Sequence, residues 1–179
     1  MNTNTVESAY LRISELDLSP IRFKLQHEVH GSAWSEDKTK QAEALYKGYL
    51  ALLLAYRSQA VVLAPPQLAD EFWHQHILDT RKYFRDCERL FGQYLHHFPY
   101  FGMRSEKDEK ELNVSGELTH KLLRKHFGGH PDFTSAFECL TPGDCNNCSG
   151  SCSSCKSCKS ILLERNANEI HSTFSGEVC

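Results

Sequence analysis

The chain lacks an excess of either charge. Lys plus Arg total 20 and Asp plus Glu total 23 in 179 residues, a formal net charge of −3. Nothing here offers the basic surplus with which proteins neutralise phosphates on nucleic acid or anionic membranes. Long apolar runs are also missing: the longest, Tyr49 to Tyr56, falls far short of the roughly 20 residues that span a bilayer. The N-terminus, Met1 to Glu7, has no basic segment leading into an apolar one, so no secretory signal is expected. The expected compartment is the cytoplasm, with no nucleic-acid and no membrane partner. Familiar catalytic signatures are absent too: no His-Glu-x-x-His, no nucleophile elbow and no phosphate loop. Cysteine is nearly absent before residue 139, where only Cys87 occurs.

What is present reads as helix. Forty per cent of residues are hydrophobic and 11% aromatic, enough for a core. Val6 to Leu16 has apolar residues at helical spacing. Ser19-Pro20 predicts a helix start, with Ser as N-cap, Pro in the first turn, and an end near His30 before Gly31. Ser35 predicts another N-cap. From Glu36 to Arg57 there is no Pro, and Ala42, Leu45, Tyr46, Tyr49, Leu50, Leu53 and Leu54 follow the i, i+3, i+4 pattern of a central, buried helix. Val61 to Ala64 predicts a lone extended segment. Pro66 opens the next predicted helix, Asp79-Thr80 caps another ending at Gly92, and Ser115 caps a last one over Gly116–Phe127. The expectation is an all-α protein: a compact multi-helix domain over 1–138 and a Cys-rich, irregular tail over 139–179.

The densest chemistry lies between Asp70 and Cys87. Asp70, His74, His76, Asp79, Tyr83, Asp86 and Cys87 stand among aromatics, with His96 and His97 close behind. Asp70 and His74, one turn apart, share a helix face. His76 points roughly 160° away from His74 on a straight helix, so the two cannot chelate one ion there. One site holding both requires a helix break near Asp79 or earlier. Otherwise a further ligand must come from His96 or His97, once the chain has turned at Gly92. Imidazole and carboxylate groups suit Zn or Fe, which makes Asp70, His74, His76 and His97 the candidate metal ligands. Tyr83, Asp86 and Cys87 are the candidate acid, base or orienting groups. The competing expectation is a purely structural polar network, in which these His are hydrogen-bonded core residues of an interaction module and Cys87 is a small buried hydrophobe.

The order Asp70-x-x-Trp73-His74-x-His76, then Thr80, Tyr83, Asp86-Cys87, Phe91-Gly92 and His97 resembles the core signature of the glycine-rich-domain-containing-protein-like family, over roughly Leu16 to Phe127. The resemblance implies that Asp70, Trp73, His74, His76, Tyr83, Asp86, Cys87 and His97 are family features. Some plant members carry glycine-rich or RNA-binding extensions. This chain has 10 Gly and no such tract, so an RNA role does not carry over.

The tail holds Cys145, Cys148, Cys152, Cys155 and Cys158 at two- to three-residue intervals. Such thiol spacing suits Zn, Cu(I) clusters or an Fe–S centre. Five thiols exceed the four that one Zn needs, and a radical-enzyme cluster is disfavoured by the short, helical chain. A segment left reduced, or one loaded or bound by a partner protein, fits the same composition. The resulting functional expectation is a metal-binding protein, with a metal-dependent enzyme of unnamed substrate as its extension.

Overall fold

Residues 5–27 and 33–137 are described by a computed structural model. Thr5 starts α1 (Val6–Ser14) by accepting a hydrogen bond from the Ser8 N–H, as N-cap hydroxyls do. Val6, Ala9 and Ile13 form its buried stripe. Helix α2 (Ser19–Gln26) departs from expectation at both ends. Leu18 occupies the N-cap without a side-chain bond. The preceding carboxylate serves instead: Asp17 Oδ1 accepts from the Ser19 N–H at 3.0 Å and from its hydroxyl at 2.6 Å. The helix closes at His27, short of His30, and Gly31 lies outside the described residues.

Helix α3 (Glu36–Tyr56) is the axis of the fold. Ser35 caps it through the Lys38 N–H. Every residue from Tyr49 to Ala55 is buried, so its C-terminal half faces protein all round, as its unbroken apolar run requires. Helix α1, α2 and two later helices pack around it. Gly48 marks a close approach: a Cβ there would stand 2.8 Å from the Phe133 ring and 2.9 Å from Leu123. That ring is fully buried and stacked on Phe127 at 4.6 Å, so it cannot yield. Gly48→Ala therefore gains about 1 kcal/mol of helix propensity but meets an overpacking cost of about 1–3 kcal/mol. A lower thermal midpoint than wild type is the expected result; an equal or higher one contradicts this packing.

Pro65-Pro66 holds the chain extended before α4 (Gln67–Leu78), and Pro66 is the N-cap rather than a helical residue (φ −57°, ψ 148°). Asp79, at φ −83° and ψ 70°, ends α4 and begins α5 (Thr80–Phe91), its carboxylate accepting from the Lys82 N–H. Gly92 closes α5 in the left-handed region at φ 71°, where glycine is favoured. Arg12 on α1 donates to the Leu90 carbonyl at 3.0 Å, satisfying an acceptor in the last turn of α5.

Helix α6 spans Glu106–Phe127 and so starts ten residues before the predicted start at Gly116. Ser105 is its cap, accepting from the Asp108 N–H. Ser115, the expected cap, is buried in the middle, and its carbonyl accepts from the Thr119 hydroxyl. Thr119 in turn accepts from the Ala64 N–H at 3.1 Å, which ties the 61–64 segment to α6. Among the described residues no strand forms, and the fold is all-α. None of the described helices is long and apolar enough to cross a membrane. The tail thiols Cys145, Cys148, Cys152, Cys155 and Cys158, and the partner expected there, lie outside the described residues.

Candidate functional site

Two polar clusters grow from the two faces of α4. On one face, Asp70 and His74 stand one turn apart, and His97 reaches them from the segment that follows Gly92. His97 Nε2 lies 2.9 Å from Asp70 Oδ1 and 3.0 Å from His74 Nε2. His74 Nε2 is 3.6 Å from Asp70 Oδ2. The side chains of Asp70 and His97 are only 7% and 8% exposed, whereas that of His74 is 43% exposed. One edge of the cluster therefore opens to solvent. Trp73 forms a wall, its ring centroid 5.1 Å from that of His97. These three residues form a group whose ligand atoms all lie within 4.8 Å of one another and could hold a metal ion.

On the other face His76 is enclosed. Its Nδ1 is 2.9 Å from the Tyr46 hydroxyl and its Nε2 3.1 Å from Asp86 Oδ2. Lys82 Nζ donates to the same Asp86 oxygen at 2.7 Å. Tyr46 is fully buried and His76 nearly so. A neutral imidazole satisfies both contacts, accepting from Tyr46 at Nδ1 and donating from Nε2 to Asp86. Burial, opposed by the Asp86 charge, pushes His76 down from 6.5 to about 4. As pH falls through 6.5 the unfolded chain takes up a proton here that the folded chain accepts only near 4. Stability is thus complete above about 6.5 and is lost progressively towards 4, on the order of 3 kcal/mol in all. Urea midpoints measured between pH 4 and 7 should show this slope, and His76→Gln should flatten it. An unchanged slope in that variant contradicts the assignment.

The remaining candidates sit between the clusters. Tyr83 OH accepts from Trp73 Nε1 at 3.0 Å and donates to the Leu95 carbonyl at 2.5 Å. Burial raises the Cys87 thiol above its ordinary range, which keeps it protonated near neutrality. The helix does break at Asp79, but beyond both His74 and His76, so the break does not bring them together. His96, the alternative third residue, is exposed and packs on Tyr94. Sequence reasoning missed Tyr46. It lies thirty residues from its partner His76, and its helical spacing reads as simple core.

A family model described as UCP032817-like matches residues 10–115. The chain belongs to the UCP032817-like family. That match corrects the resemblance drawn from the motif: the family is not the glycine-rich-domain-containing-protein-like one. The UCP032817-like match takes in both clusters from Asp70 to His97, but its name specifies no reaction. Neither a curated protein nor a solved structure matches the chain.

Proposed function

We propose that the protein binds one transition-metal ion, Zn(II) or Fe(II), through Asp70, His74 and His97. The observation that carries this reading is the gathering of one ligand atom from each of Asp70, His74 and His97 within 4.8 Å of one another, with His97 Nε2 at 2.9 Å from Asp70 Oδ1 and 3.0 Å from His74 Nε2. Bonds of about 2.0–2.1 Å imply ligand–ligand edges of about 3.3–3.4 Å in a tetrahedral site and about 2.8–3.0 Å in an octahedral one. The two contacts of His97 Nε2, at 2.9 and 3.0 Å, fall in the octahedral range. Hydrogen bonding alone accounts for them poorly. Each imidazole Nε2 carries either one proton or one lone pair, and His97 Nε2 faces two partners at once. A carboxylate and two imidazoles gathered this closely supply the donor set that a cation needs.

Two His and one carboxylate leave coordination positions free, the pattern of non-haem Fe(II) and of catalytic Zn(II) sites. A metal so held acts as a Lewis acid on water or substrate. In this chain Asp70 supplies buried negative charge, Trp73 shields one side, and half-exposed His74 forms the rim by which a small molecule enters. The tail thiols from Cys145 to Cys158 form a separate soft-metal store in this reading. The structural-network alternative is favoured for His76 alone, by its pairing with both Tyr46 and Asp86.

The test is metal content of the full chain, purified without an affinity tag or chelator, beside a full-length variant with every Cys beyond Cys87 replaced by Ser. About one equivalent retained by the Cys-to-Ser variant, beside any further metal that the wild type carries on its thiols, supports the central site. A variant that retains none contradicts it.

A further inference from the structure

We propose that Tyr83 is a positioning residue that clamps the His97 segment, rather than an acid or base; this rests on the metal site above. Tyr83 is buried on α5, one turn before the buried Cys87. The Tyr83 hydroxyl holds the Leu95 carbonyl at 2.5 Å, two residues before His97. The Leu95 peptide is therefore held by the Tyr83 hydroxyl.

The clamp is extended on either side. Tyr94 lies edge-on to the Tyr83 ring at 5.2 Å, and Leu95 is itself buried. Trp73 donates to Tyr83 OH at 3.0 Å and lays its ring beside His97 at 5.1 Å. One hydroxyl thus fixes both the backbone that carries His97 and the indole that walls it. Such fixing matters here because His97 follows the left-handed turn at Gly92 and lies outside any helix. A ligand on irregular backbone reaches its metal with the right geometry only when neighbouring groups hold it. His74, by contrast, is placed by α4 itself.

Tyr83→Phe keeps the ring and removes the hydroxyl. In the full chain with every Cys beyond Cys87 replaced by Ser, Co(II) is titrated into metal-free protein and followed by its visible absorption. The parent should bind one Co(II). Tyr83→Phe should bind it about 10–100-fold more weakly and with a shifted ligand-field spectrum. Wild-type affinity and spectrum in the folded variant overturn the clamp while leaving the metal site intact. A parent that binds no Co(II) overturns both. Circular dichroism on the same samples checks that the variant is folded. Should Tyr83→Phe not fold, Tyr94→Leu, which removes the ring standing edge-on to Tyr83, is titrated in the same way. A weaker affinity there supports the clamp, and an unchanged one overturns it.

Discussion

Asp70→Asn should abolish metal binding at the central site while leaving the fold nearly intact. The amide has the carboxylate's shape and still accepts from the His97 ring at the 2.9 Å contact. It carries no charge, however, and is a poor ligand for a transition metal. Affinity should fall by more than about 100-fold, beyond what loss of an outer hydrogen bond produces. Urea stability of the metal-free protein should change by no more than about 1 kcal/mol. His97→Ala should abolish binding equally but at a larger cost in stability, because it leaves the nearly buried Asp70 carboxylate without its closest partner. Calorimetric titration with Zn(II) beside urea unfolding separates the two effects. Wild-type affinity in Asp70→Asn contradicts the assignment.

Trp73→Ala should produce the largest loss of stability. The indole is fully buried and meets α3 through Tyr46 and Tyr49, at centroid distances of 6.1 and 5.7 Å. It also meets His97, and it donates to Tyr83. Removing a buried aromatic of this size costs about 3–5 kcal/mol, against a total of about 5–15 kcal/mol for a domain. The urea midpoint should fall sharply at an unchanged slope, or the chain should fail to fold. Trp73→Phe should recover most of the loss. A fall below about 1 kcal/mol in Trp73→Ala contradicts the central place given to this side chain.

The fold was legible in the sequence where local chemistry is strong. Ser35, Asp79 and Gly92 mark real helix ends, because a cap or a left-handed turn needs only the residue itself. The error in α6 has a physical cause. Its first two turns are charged and mostly exposed, so they show no apolar periodicity, and only the Ser105-x-x-Asp108 spacing signals the start. Ser115-Gly116 reads as a cap but is carried inside the helix, where Ser115 bonds to Thr119.

The candidate site was half legible. The Asp70–His74 pair follows from helical spacing, and the turn at Gly92 made His97 a natural third member. The opposed directions of His74 and His76 were also readable. The identity of each buried partner was not. Tyr46 lies thirty residues from His76, and the Leu95 carbonyl held by Tyr83 belongs to backbone that any residue could supply. Such contacts arise from how α3, α4 and α5 pack, which a linear pattern does not encode.

Metal binding by Asp70, His74 and His97 is best tested by crystals of the full chain grown with Zn(II), measured on both sides of the zinc absorption edge. An anomalous peak is expected about 2.0–2.2 Å from His74 Nε2, His97 Nε2 and an Asp70 carboxylate oxygen. The contradicting result is a zinc-loaded crystal in which that point is empty and the anomalous signal sits on thiolates alone.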